Sequence, residues 1–148
     1  GTKKQVDIVL KIDKTILQKK YTKKIKNTEC ILVDEAQFLT PSQIEELWYI
    51  TKILDIPVIC FGLKSDFQTN SFPGSKRLLE LCDSMKELET ISNCGKKARF
   101  NARKVNGKYV STGEQNVIDG SHDNIEYVPL CGKCYIKYIK KIDKNKIQ

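Results

Sequence analysis

The sequence predicts an α/β fold: a parallel sheet with packed helices, followed by a small β module stapled by cysteines. Three observations predict it. The first is Cys30-Ile31-Leu32-Val33, a short apolar run that leads straight into Asp34-Glu35. It is too short for a helix and has no polar alternation, which fits a strand covered on both faces. The second is Val58-Ile59-Cys60-Phe61-Gly62, a run of the same kind. A helical pattern separates the two, and strand, helix and strand within about 30 residues make a βαβ unit. The third is the change of character after Ser92, where turn pairs and short strand patterns replace helical spacing.

Composition bounds the answer. A chain of 148 residues holds one domain, or one domain with a small module. It is 40% hydrophobic and 30% charged, as globular chains are. The net charge of +8 permits a polyanionic partner. The excess is mostly lysine scattered along the chain, so the charge alone does not predict nucleic-acid binding. No apolar run approaches the ~20 residues of a membrane span, and the start, Gly1-Thr2-Lys3-Lys4, is polar. A cytoplasmic protein with no membrane partner is expected. The chain begins without Met and is expected to be cut short at its N-terminus. Cys30 and Cys60 fall in predicted buried strands and Cys82 ends a predicted helix, the pattern of reduced, buried thiols. Only Cys94, Cys131 and Cys134 lie in a polar, turn-rich context.

Each element follows in order. Gln5 to Leu10 reads as a short strand, and Asp13 as the cap of a helix running through Leu17 toward Lys20. Residues 19–27 read as an exposed, lysine-rich connector. Glu29 to Asp34 is the central strand. Thr40-Pro41-Ser42-Gln43 starts a helix: Thr caps, Pro takes the first turn, and Gln three residues after Thr completes a capping box. Ile44, Leu47, Trp48, Thr51 and Leu54 then recur at helical spacing and form its buried face. A helix from about Gly74 to Cys82 and a strand from Met85 to Ser92 follow. Asn106-Gly107 is the preferred type I′ pair, flanked by strands Phe100–Val105 and Lys108–Ser111. Gln115–Ile118 and Tyr127–Leu130 are short strands, and Cys131 opens a basic helix that fades near Lys144. Residues 1–91 are expected as the α/β core and residues 92–148 as the small module.

Three chemistries are written into these elements. Ligands of open α/β sheets bind beyond the carboxyl ends of strands, where Asp34 and Glu35 stand. An Asp there holds Mg²⁺ for a nucleotide, and a neighbouring Glu can take a proton from a hydroxyl. A phosphate-cradling GxxxxGK[ST] loop does not occur in the 148 residues. Cys131-x-x-Cys134 with Cys94 supplies three of the four ligands of a structural zinc. His122 is the candidate fourth, the plainer readings being an exposed loop histidine and two chance thiols at a helix start. Phe38, Leu63, Phe67, Phe72 and Tyr127 gather near predicted strand ends, where such side chains can hold a flat base.

Taken together, Val33-Asp34-Glu35-Ala36-Gln37-Phe38, Gly62-Leu63-Lys64-Ser65-Asp66-Phe67, Phe72, Leu88-Glu89-Thr90-Ile91, Cys94-Gly95, Val117-Ile118-Asp119-Gly120, Tyr127 and Cys131-Gly132-Lys133-Cys134 resemble the type II, zinc-containing thymidine kinases. The match runs from about Cys30 to Tyr135. The resemblance implies a P-loop-type nucleotide-binding core with a zinc-ribbon-like module, and an ATP:thymidine 5′-phosphotransferase that makes dTMP. It implies Glu35 as the catalytic base and Asp34 as the Mg-ATP residue, with Glu35, Ala36 and Gln37 completing the nucleotide-contacting segment. It implies Phe38, Leu63, Phe67 and Phe72 as the thymidine pocket. It places Val117, Ile118, Asp119, Gly120 and Tyr127 on the lasso that binds the base. It implies Cys94, Cys131 and Cys134 as zinc ligands, a homotetramer, and dTTP as feedback inhibitor. Three departures stand out. The P-loop strand and helix of the family are not in this sequence. Ser92 aligns with the family's first zinc cysteine. Residues 118–127 are longer and more acidic than usual. Two other readings use the same residues. A basic zinc-ribbon module that binds nucleic acid leaves Asp34-Glu35 unexplained, whereas a remnant that binds thymidine or dTTP without catalysis fits them as well.

Overall fold

The computed structural model describes residues 5–12, 14–115 and 124–141. They divide into two compact units. The first comprises residues 1–64 and 72–85, and the second residues 65–71 and 86–148.

The first unit is built on the expected βαβ arrangement. Strand β1 (Ile31–Val33) pairs in parallel with β2 (Val58–Cys60), with Ile31, Leu32 and Val33 opposite Val58, Ile59 and Cys60. Helix α2 (Pro41–Ile53) connects them. Its start is the capping box read from sequence: Thr40 Oγ1 accepts from Gln43 N–H at 3.2 Å, and Gln43 Oε1 accepts from Thr40 N–H at 3.0 Å. Gln43 does more than cap, because its Nε2 also donates to the carbonyls of Lys11 and Lys14. Glu46, one turn on, accepts from Ile16 N–H at 2.6 Å and from the Thr15 hydroxyl. These contacts hold Lys11, Lys14, Thr15 and Ile16 against α2, and Ile16 is buried. The core is Ile16, Ile25, Ile44, Leu47, Ile50 and Ile56, with Ile31, Val33, Val58 and Cys60 packed against it.

Several expectations are corrected. Residues 5–10 form no ladder, and the first helix, α1 (Lys19–Lys26), lies on the residues expected as a connector. Lysine is a good helix former, and Ile25 on one side supplies the buried anchor. Asp13 lies outside the described residues. The β1–β2 sheet is covered on one face only among the described residues. Side chains alternate across a strand, so Leu32 and Ile59 point away from α2 and stay 68% and 48% exposed. Cys30 is exposed as well, and Cys60 is half-buried. On α2 the buried apolar residues are Ile44, Leu47 and Ile50, while Trp48 sits at the border of the face against Tyr49. Helix α3 (Pro73–Leu81) falls as expected.

The second unit is a three-stranded antiparallel sheet in the order β4-β3-β5. Strand β3 (Phe100–Val105) turns through Asn106-Gly107 into β4 (Lys108–Val110), and both turn residues have positive φ, 50° and 76°, as a type I′ turn requires. Strand β5 (Ile125–Leu130) covers the other edge of β3. Helix α4 (Gly132–Tyr135) runs on as a π-helical turn to Lys140. Ala102, Leu130, Tyr135 and Ile139 form the core. Met85–Ser92 is no strand: it holds only one bridge, Ile91 to Lys97, and Met85, Leu88 and Ile91 are exposed. Gln115 is not in a strand, and residues 116–123 and 142–148, with the rest of that predicted strand and His122, lie outside the described residues.

Candidate active site

The end of β1 turns sharply. Glu35 adopts a left-handed backbone, φ 51° and ψ 38°, which costs a non-glycine residue about 1 kcal/mol. A 3₁₀ turn, Ala36–Phe38, follows at once. Two backbone bonds tie this turn to β2: Phe61 N–H donates to Val33 O at 2.8 Å and Ala36 N–H donates to Phe61 O at 2.9 Å. The left-handed residue thus puts two exposed carboxylates side by side at the sheet edge. Asp34 Oδ1 accepts from Glu35 N–H at 2.9 Å. Among the described residues Asp34 Oδ2 has no partner, so this carboxylate can ligate a divalent cation.

Ala36 and Gln37, expected in the nucleotide-contacting segment, have buried side chains. They are 0% and 2% exposed, and the Gln37 amide is used at both ends. Its Nε2 donates to Glu35 Oε2 at 2.5 Å and its Oε1 accepts from Leu63 N–H at 3.1 Å. Helix α3 packs against the same turn at Gly74, where a Cβ would come within 2.8 and 2.9 Å of the Ala36 and Gln37 carbonyls. Ser75 on α3 donates its hydroxyl to Leu63 O at 2.6 Å. Leu63 therefore has both backbone groups engaged while its side chain stays 43% exposed. Phe38 is 48% exposed and meets the edge of buried Phe72 at 5.7 Å between ring centroids. Phe72 supports Phe38 and offers no open face of its own.

In the second unit Phe67 is enclosed, only 1% exposed, with the Arg103 guanidinium stacked on its ring. Phe67, expected from sequence as a pocket wall, is packed here as a core residue. Arg103 is itself 2% exposed. Its Nε donates to the Tyr127 hydroxyl at 3.1 Å, and its two terminal nitrogens donate to the Glu114 and Gln115 carbonyls at 2.8 and 2.9 Å. Tyr127 keeps half its surface open. Asp66 is buried too, accepting from Gln68 N–H, Asn70 N–H and Gln115 Nε2. Sequence reasoning missed Arg103. The one available signal is that it is among three arginines in a chain whose 26 basic residues are otherwise lysine. Val117, Ile118, Asp119 and Gly120 lie outside the described residues.

The three cysteines singled out from sequence converge. The Sγ atoms of Cys94, Cys131 and Cys134 all lie within 4.8 Å of one another, with Cys94 and Cys131 at 3.5 Å. Four thiolates around a tetrahedral zinc stand about 3.8 Å apart, so the cluster has the dimensions of such a site. Ser92 is 2% exposed and its Oγ lies 3.8 Å from Cys94 Sγ, on the same cluster. The Lys96 N–H, then the Cys131 and Cys134 thiols and the Ser92 hydroxyl, draw the Cys94 thiol down from 9.0 to about 6. Its bond to Cys94 and then its burial push the Cys134 thiol up. One thiol of the group is thereby set to become the first thiolate, which is what a metal requires.

The sequence profile of the family described as "Thymidine kinase" matches residues 2–135. The chain belongs to the thymidine kinase family. Its similarity extends to individual thymidine kinases: that of Chromobacterium violaceum is 46% identical over 110 residues, covering 74% of this chain and 58% of the relative. That of Colwellia psychrerythraea is 42% identical over 126 residues, 84% of this chain and 62% of the relative. That of Albidiferax ferrireducens is 41% identical over 111 residues, 74% and 55%. The chain thus spans a little over half the length of the curated thymidine kinases it matches. Among the described residues no helix is long and apolar enough to cross a membrane.

Proposed function

We propose that this chain transfers the γ-phosphate of ATP to the 5′-hydroxyl of thymidine, giving dTMP and ADP. The observation that carries the reading is the Asp34-Glu35 pair at the end of β1, in a chain matched by the thymidine kinase profile over residues 2–135. Glu35 is the general base. Its Oε2 is occupied by Gln37, and its Oε1 has no partner among the described residues, so Oε1 takes the proton. As the 5′ oxygen attacks the γ-phosphorus, the O–H bond breaks toward Glu35, the new O–P bond forms, and the bond to the leaving ADP oxygen breaks. Mg²⁺ bound at Asp34 supplies neutralising charge to the ATP phosphates. The chain's own contribution is placement: a base fixed at a strand end, presented to a hydroxyl held in line.

In the first unit Phe38 and Leu63 are assigned to the thymidine, with Phe72 behind Phe38. In the second unit Tyr127 is assigned to it, with Arg103 behind Tyr127. A structural zinc is assigned to Cys94, Cys131 and Cys134, with the Ser92 hydroxyl in the fourth direction. A homotetramer in the cytoplasm, inhibited by dTTP, completes the reading. The test is thymidine-dependent phosphate transfer from Mg-ATP by the protein made from its complete reading frame, wild type beside Glu35→Gln. The variant is expected to lose turnover and keep its thymidine affinity. Equal turnover in the two removes Glu35 from the role of base.

A further inference from the structure

We propose that Gln37 is a positioning residue: it holds the Glu35 carboxylate in the one orientation that leaves Oε1 free, and it ties the base to the main chain at Leu63. This role rests on Glu35 being the base. Gln37 touches no reacting atom. It is 2% exposed, inside the 3₁₀ turn, and its amide spans 26 residues of sequence between its own turn and the end of β2.

The geometry leaves the amide one way to lie. Nε2 faces a carboxylate, which only accepts, and Oε1 faces the Leu63 N–H, which only donates. Turning the amide over sets oxygen against carboxylate and nitrogen against N–H, losing both bonds at once. A buried amide without partners is costly, so both bonds hold the side chain in place. Gly62 makes room for it. A Cβ there would lie 2.5 Å from Gln37 Oε1 and 3.1 Å from Gln37 N, so any larger residue displaces the amide. The base itself is held by the left-handed turn at Glu35 and by the Ala36 to Phe61 bond. Gln37 adds the side-chain constraint that the backbone cannot supply. Because the same amide grips Leu63, a single side chain sets the base and an apolar wall of the nucleoside site against each other. A supporting side chain that fixes a catalytic group in its productive orientation raises the rate that group can deliver.

The experiment is a double-mutant cycle on the complete protein, reading kcat and thymidine Kd separately. Met matches Gln in length but cannot donate. Gln37→Met is expected to lower kcat by about tenfold or more while thymidine Kd moves less than about threefold. In a Glu35→Asp background the carboxylate is withdrawn by one methylene and is already out of reach of the amide. It still accepts a proton, so its rate is measurable, and there Gln37→Met is expected to change kcat less than about twofold. Gln37→Asn, smaller and still polar, keeps the fold under less strain and is expected to lose kcat in the same way, because it cannot span both partners. Equal losses in both backgrounds make Gln37 a packing residue and overturn the proposal. Wild-type kcat in both Gln37→Met and Gln37→Asn overturns it with the base intact. Full activity of Glu35→Gln, or no thymidine phosphorylation by the wild type, instead overturns the functional reading beneath it.

Discussion

The Arg103 guanidinium lies over the face of Phe67, 3.8 Å from the ring centroid. Both groups are buried, and among the described residues the cation meets no carboxylate. Its charge is balanced by two carbonyls, one phenol oxygen and the π face of the ring. Only a flat fork with donors along its edges and open faces fits such a place. Arg103→Lys keeps the charge and loses the fork. It is expected to destabilise the fold by about 2–3 kcal/mol, since hydrogen bonds from a charged donor are the strong ones. Chemical denaturation of the two proteins checks this; matching midpoints and slopes would show that the fork geometry is not needed.

Tyr135 ties the same neighbourhood through the Phe67 main chain. Its hydroxyl donates to Phe67 O at 2.5 Å, in a fully buried setting. Removing the hydroxyl leaves a buried carbonyl without that partner. Tyr135→Phe is expected to cost about 1–2 kcal/mol in equilibrium unfolding. A variant as stable as the wild type would place that carbonyl in contact with water.

Ser92 stands beside the cysteine cluster, its Oγ 3.8 Å from Cys94 Sγ, with a hydroxyl that stays protonated at neutral pH and ligates zinc poorly. Ser92→Cys supplies a fourth thiolate at the same backbone position. Zinc affinity is expected to rise by at least about tenfold, and a cobalt-substituted sample to gain thiolate charge-transfer intensity. Competition against a chromophoric chelator reads the first and absorption spectroscopy the second. Unchanged values in both would mean that the Ser92 side chain does not point at the ion.

Thiol chemistry separates the remaining cysteines. Burial pushes the Cys60 thiol from 9.0 up to about 11. The thiolate is the nucleophile, so at pH 8 only about one Cys60 in a thousand is reactive. Cys30 and Cys82 are exposed. Of these three, alkylation in the folded state is expected to label Cys30 and Cys82 before Cys60, which reacts only as pH rises toward 11. The sign follows from desolvation, which disfavours the charged form: the folded state holds the neutral thiol, and its advantage is lost as pH climbs from 9 through 11. Peptide mapping after timed labelling would count against the buried setting of Cys60 if Cys60 were modified as fast as Cys30.

The sequence by itself determined what short-range chemistry controls. Thr40 and Gln43 form their capping box, Asn106-Gly107 turns its hairpin, and β1, α2 and β2 make a parallel βαβ unit, because each signal sits within a few residues or one repeat. It also marked Asp34-Glu35 and the three cysteines, since carboxylates after an apolar strand and a CxxC pair are visible without coordinates. Only the tertiary structure decided what depends on distant partners. The family resemblance implies Gln37 as a nucleotide-contacting residue, and it becomes a buried bridge only because Leu63, 26 residues later, turns its N–H toward it. Phe67 is read as a pocket aromatic, and Arg103 encloses it. Leu32 and Ile59 are read as core, yet their face of the sheet is left open among the described residues. Burial belongs to neighbours brought together by folding, and periodicity along the chain does not name them.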